Sequence, residues 1–489
     1  MKRSAGIFLH PTSLPSPFGV GDLGPWAKRF VDILADNGQS WWQVCPLGPT
    51  GYGDCPYQVL SSFAGNPLMI SPELLRDRGL LTNEELSGLP VLPADHVDFA
   101  AARSLKTKFL DMAVARFSDD HEFNEFCENE RYWLDDYALF MAIKELRNGA
   151  HWNTWEASLK LRFPASLDEM DHAERRRIRR HKFLQFIFQQ QWQELRAYAN
   201  SRGVKIIGDI PYYAAYDSAD AWSSPDTFEL DDAGNPRRIG GVPPDYFSAT
   251  GQLWGNPVYA WESMKETGYS WWVNRVRRSL ALVDVVRIDH FRGLEAFWAV
   301  PAGSETAVNG EWIKGPDIAF FNVLERELGG HLPLIAEDLG VITDQVNALR
   351  KNAGLPGMKV LQFAFDGNTD NPYLPYNITS DSVVYTGTHD NDTSLGWFSL
   401  LDEKAKAFVC EYIGCTPESF MTEFVRTAYV SNAELCILPM QDVLFLGEGH
   451  RMNVPGLADG NWGWRFTEEM LDRERLGMIG RFAKMYGRA

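Results

Sequence analysis

The chain has 489 residues, 45% of them hydrophobic and 23% charged, with 47 Lys and Arg against 65 Asp and Glu and a net charge of −18. A surface that acidic repels polyphosphate and argues against nucleic acid as a partner, and no apolar run approaches the ~18 residues that span a bilayer. Six cysteines lie far apart with no Cys-x-x-Cys pair, and the start MKRSAGIFLHPTSLPSPFG is too poor in apolar residues for a secretory signal; both features read as a cytoplasmic protein with reduced thiols.

Short apolar, β-branched runs bounded by turn residues predict strands at about 5–10, 41–47, 204–211, 283–290, 334–339, 358–363, 382–388 and 435–441. Several are apolar throughout, as parallel strands covered on both faces require. Helical patterns lie between them. PWAKRFVDILADNG has Pro25 near its start and Gly38 past its end, WWVNRVRRSLAL precedes the Val283 run, and TDQVNALRKNAG follows the Leu334 run with Thr343 as N-cap. Strand and helix in alternation, eight times, predict one α/β unit over 1–489, a (β/α)8 TIM barrel. Two gaps are too long for simple crossovers. One, about 48–203, reads as a mostly helical subdomain, and the other, about 212–269, as Pro/Gly/aromatic-rich cleft loops. The basic run ERRRIRRHK at 174–182 reads as a solvated helix face with acidic neighbours.

Four of the predicted strands finish in a carboxylate: Asp209 in KIIGDIPYY, Asp289 in VDVVRIDHF, Glu337 in LPLIAEDLG and Asp390 in VVYTGTHDND. In a barrel these endings converge at one mouth, where like charges repel unless they are compensated or used. Arg287, two residues before Asp289 on a strand, points to the same face and favours the charged form of its neighbour. Two carboxylates acting as nucleophile and acid/base are what retaining glycoside chemistry needs. The 17 Trp, 17 Tyr and 29 Phe, many of them in Gly/Pro-rich stretches, suit the flat C–H faces of sugar rings, although an aromatic-rich core accounts for them equally. A metal site built from His10, Asp209, Glu337, His389, Asp390 and Asp392 is the rival, but the chain has no His-x-His, no His-Glu-x-x-His and no EF-hand loop. No G-x-S-x-G is present, and Gly6, Gly19, Gly21 and Gly24 form no phosphate loop.

The segments GIFLHPTSLPSPFGVGDLG, GYGDCPYQ, GDIPYY, GQLWGNPVY, VRIDHFRGLEAFW, IAEDLG, TGTHDND and MNVPG, in that order from residue 6 to about residue 456, resemble the 4-α-glucanotransferases of the amylomaltase type, relatives of the α-amylases. The resemblance implies a barrel without a separate C-terminal β-domain, acting on α-1,4-glucans and maltooligosaccharides with neither cofactor nor metal. It implies Asp289 as nucleophile, Glu337 as acid/base and Asp390 as transition-state stabiliser. Arg287, His389 and Asp209 match the residues lining the subsite of the cleaved sugar, and Tyr57 an aromatic stacked on it. Trp254 falls in a loop arching over the acceptor side, and Tyr52 matches a tyrosine of a second glucan site. Cys55 stands where Ser is expected. The same three carboxylates would serve an α-glucan hydrolase, and only the resemblance favours transfer; a non-catalytic glucan-binding protein has little use for them. A monomer is the default assembly.

Overall fold

The computed structural model describes residues 3–244 and 248–489. Its strands, in chain order, are β1 (Ser4–Phe8), β2 (Trp41–Gln43), β3 (Lys205–Ile210), β4 (Arg238–Val242), β5 (Gln252–Pro257), β6 (Val285–Ile288), β7 (Ala296–Pro301), β8 (Glu311–Lys314), β9 (Leu334–Ala336), β10 (Gly357–Val360), β11 (Ser382–Tyr385) and β12 (Leu435–Pro439). Eight of them form one parallel sheet in the order β10-β11-β12-β1-β2-β3-β6-β9. The two ends of that order meet, since the Ala336 N–H donates to the Pro356 carbonyl at 2.9 Å, and the sheet closes into the expected barrel. Strands β1, β6, β11 and β12 are buried along their whole length, which is why their sequences are apolar without alternation. Gly6 permits the tight β1–β2 pairing: a Cβ there would lie 2.3 Å from the Trp41 carbonyl oxygen.

The barrel strands are shorter than the sequence suggests. The second ends at Gln43 and the sixth at Val360, after which Leu361–Phe363 turns into a 3-10 helix. The apolar character continues past both because Val44, Cys45, Leu47 and Leu361 remain buried after the ladder ends, whereas Phe363 is exposed. Helices fall where the periodicity puts them, at Pro25–Asp36, Ser270–Leu282 and Asp344–Asn352, and the Thr343 hydroxyl accepts from the Val346 N–H at 3.4 Å as an N-cap.

Between β2 and β3 the chain first runs through irregular loops, with 3-10 turns at Tyr52–Asp54 and Pro67–Met69 and one short α-helix at Pro72–Asp77, and becomes mostly α-helical from Phe99. Gly and Pro at 48, 49, 51, 53, 56, 65 and 67 keep the first part of the 48–203 segment out of long α-helix. The basic run opens the long helix Arg175–Ser201, where Arg179 pairs with Asp119 at 2.5 Å and Arg180 with Asp111 at 2.7 Å. After β3, strands β4 and β5 join β7 and β8 in an antiparallel sheet of order β5-β4-β7-β8. Half of this sheet comes from the crossover between β6 and β9, which the sequence presented as a plain connection; residues 245–247 of the 212–269 segment lie outside the described residues. The seam between first and last barrel strands is bound by Arg488. Its buried guanidinium donates to the carbonyls of Ser4 at 3.0 Å, Tyr429 at 2.7 Å, Ser431 at 3.0 Å and Ala433 at 3.0 Å. Among the described residues no helix is long and apolar enough to cross a membrane.

Candidate active site

A cleft of about 1290 Å³ opens where the barrel strands end, walled by Tyr57, Trp254, Asp289, His389, Asp390 and Trp462. Asp209 is inside β3, Asp289 and Glu337 each stand one residue past β6 and β9, and Asp390 lies five residues past β11. A short turn carries Asp390 to the mouth: the Asn391 side chain accepts from the Thr388 N–H at 2.9 Å and its hydroxyl at 2.8 Å.

Arg287 is the hub. Its buried guanidinium donates to Asp209 Oδ2 at 2.6 Å and to Asp289 Oδ1 at 2.8 Å, so one cation spans two carboxylates. Asp209 also accepts from the Tyr57 hydroxyl at 2.7 Å, while its Oδ1 is buried without a partner among the described residues. Burial raises the Asp209 carboxyl to about 6 even against the pull of Arg287. Glu337 is held by backbone: its Oε2 accepts from His290 N–H at 2.7 Å and its Oε1 from Leu339 N–H at 2.8 Å. Burial first, and then the charge of Asp289, raise Glu337 to about 7.

Asp390 sits at the mouth with half of its side chain exposed. It accepts from the Asn453 amide at 2.6 Å and lies 3.4 Å from His389 Nε2. Burial of its surroundings opposes the charge, but His389 and Asn453 outweigh it and hold the carboxyl well below the usual range. For His389 burial is likewise outweighed by Asp390, which lifts the imidazole above its ordinary value. Tyr57 stacks on the His389 ring, with centroids 4.9 Å apart and planes 21° from parallel.

Trp254, on β5, meets the His290 ring edge-on at 4.9 Å and reaches the cleft from the antiparallel sheet. Tyr52 is 78% exposed on the rim of the same cleft. Cys55 accepts from the Tyr57 N–H at 3.4 Å, and burial pushes its thiol up to about 11. Among the described residues no three His, Cys, Asp or Glu side chains gather as a metal site.

Two contributors were not picked out from the sequence. His290 adopts a left-handed backbone with φ 49°, uncommon outside glycine, which turns its N–H onto Glu337. Burial depresses its imidazole to about 4, so the ring is neutral. Its position directly after Asp289 was the available signal. Asn453, in the MNVPG segment, comes from a loop more than sixty residues beyond Asp390, and nothing local links the two.

A closed parallel barrel with this convergence of carboxylates, arginine and aromatics at the strand ends is the architecture of a barrel enzyme with its reaction centre in the usual place. A family model described as 4-alpha-glucanotransferase matches residues 9–471. A 4-alpha-glucanotransferase of Synechocystis sp. is 49% identical over all of this chain and 98% of its own length, and one of Thermus thermophilus is 45% identical over 97% of each. The solved structure of an amylomaltase from Streptococcus agalactiae in complex with acarbose is 35% identical, with a TM-score of 0.97 over 100% of both chains. The amylomaltase of Corynebacterium glutamicum, 18% identical over 98% of this chain and 75% of its own, shares the fold with a TM-score of 0.81. The chain belongs to the 4-α-glucanotransferase family and is an enzyme of that kind.

Proposed function

We propose that the enzyme moves a segment of a donor α-1,4-glucan to the 4-hydroxyl of an acceptor glucose or maltooligosaccharide by a retaining double displacement. Glu337 protonates the glycosidic oxygen while Asp289 attacks the anomeric carbon, giving a covalent glycosyl–Asp289 and a free leaving sugar. Glu337 then takes the proton of the acceptor 4-hydroxyl, whose oxygen displaces Asp289 and restores the α configuration. Protons and glycosyl groups balance without a cofactor, and the reading carries with it a cytoplasmic monomer whose whole chain is one catalytic unit.

The observation that carries this reading is the contrast between the two carboxylates. Glu337, raised to about 7, can give and accept a proton near neutrality. Asp289 accepts from the guanidinium of Arg287 at 2.8 Å, which fixes the orientation of its carboxyl at the end of β6. Retaining chemistry expects their carboxyls about 5–5.5 Å apart. Asp390 would hold sugar hydroxyls in the distorted ring, Tyr57 would stack on that ring, and Asp209 with its free Oδ1 would accept a hydroxyl. Trp254 would cover the acceptor side, where exclusion of water favours transfer over hydrolysis, and Tyr52 would meet the glucan further out along the rim.

Incubation with maltotriose alone, followed by chromatography, tests this. A ladder of longer maltooligosaccharides with released glucose is expected. Only shorter sugars, with reducing ends rising steadily, would make the enzyme a hydrolase in practice, and no change with retained glucan binding would make it a binding protein.

A further inference from the structure

A second cavity, of about 300 Å³, lies outside the cleft between the helix Arg131–Leu146 and the start of Ser270–Leu282. That latter helix leads into β6, so its first turn stands at the same end of the barrel as the catalytic carboxylates. Only a few residues of chain separate the two spaces: Tyr57 and Leu60 wall the cleft, and Ser61 and Phe63 wall the cavity.

Phe63, Tyr132, Trp133 and Trp271 form most of its apolar part. Tyr132 is 52% exposed, and it and the half-buried Trp271 pack edge-on against Phe63 at 6.0 and 5.9 Å. Facing them are Ser223, Ser263, Ser270 and Asp226, whose side chains make no hydrogen bond or ion pair among the described residues. No Lys, Arg or His lines the cavity; of its other two carboxylates, Asp136 is paired with Arg162 at 2.6 Å and the buried Asp220 accepts from the Ser62 N–H at 2.7 Å, which leaves Asp226 as the unpaired charge of the wall. Such a wall rejects phosphate and carboxylate ligands. It suits a neutral polyhydroxylated ring, which lays its C–H face on an aromatic and donates its hydroxyls to a carboxylate and serine oxygens.

We infer that this cavity is an accessory α-glucan site, distinct from the cleft and from its Tyr52 rim, that holds a remote part of a long donor. The inference rests on the glucan reading above. Tethering one part of a chain raises the local concentration of the rest at the cleft, an effect that long donors feel and maltotriose does not.

The test uses the full chain with Tyr132→Ala and Asp226→Ala combined, both at exposed positions, with an unchanged melting temperature as the control for folding. Calorimetric titration of maltoheptaose into Glu337→Gln, with and without the pair, is expected to show one fewer bound sugar per chain when the pair is present. In the otherwise native enzyme the KM for amylose should rise about fivefold or more, with kcat on maltotriose unchanged. Equal stoichiometry with and without the pair, or an equal rise of KM for maltotriose and amylose, would overturn the inference. Failure of the catalytic reading would show instead as no ladder from maltotriose in the native enzyme, and the binding count would still report on the cavity.

Discussion

Replacing Glu337 with Gln should remove a pH dependence of stability that reports directly on the acid/base. Glu337 holds its proton to about 7 in the native state, against 4.5 for an unperturbed carboxyl. The native state therefore binds more protons than the unfolded chain between those values, and stability falls as pH rises through that window. The shift corresponds to about 3 kcal/mol, and the partial solvent contact of the side chain makes this an upper figure. Gln removes the titration, but it offers one acceptor oxygen to two N–H groups, those of His290 and Leu339, at a pH-independent cost of about 1–3 kcal/mol. The variant should thus be less stable than the native enzyme by about 1 kcal/mol near pH ~5 and more stable by about 1 kcal/mol near pH ~8. Unfolding entropy of about 2.1 cal/mol/K per residue gives about 1 kcal/mol/K for 489 residues, so each kcal/mol moves the melting temperature by about 1 °C. Melting curves of both proteins across this pH range measure the crossover. A constant offset at every pH would refute the claim that burial and Asp289 raise Glu337.

Asp289→Asn and Glu337→Gln should each lower maltotriose turnover by about 10³-fold or more while the proteins stay folded, and a tenth of native turnover in either would remove that residue from its role. Asn453→Ala frees Asp390 from its amide donor. Since Asp390 is half exposed, the loss is set at about tenfold in kcat, near the lower end for a bond to a charged group, and an unchanged kcat would refute it. Arg287→Met leaves Asp209 buried without its counter-ion and should cost about 3–5 kcal/mol in urea denaturation above pH ~7, less near pH ~5 where Asp209 takes up a proton; a loss independent of pH would contradict that account.

The eight barrel strands were legible because buried parallel strands advertise themselves as apolar runs, and the carboxylates because each terminates one. Asp209, Asp289 and Glu337 lie within a residue of a strand end, so local sequence fixes where they point. Asp390 stands five residues further on, placed by a turn whose hydrogen bonds through Asn391 carry no periodic signal. The sheet that presents Trp254 was less visible, because its strands come from two crossovers and β8 is largely exposed. Asn453 and the left-handed turn at His290 depend on contacts between distant segments, which neither propensity nor spacing encodes.

The seam held by Arg488 has a consequence for how the molecule is made. Ser4 pairs with Leu435, so β1 leaves the ribosome about 430 residues before this neighbour. Until then β1 presents an unpaired apolar edge, and the Arg488 side chain that binds the seam follows β12 later still. Ring closure of such high contact order comes last and slowly. A nascent chain with one open flank is therefore the species most exposed to aggregation, and the one on which chaperones would act.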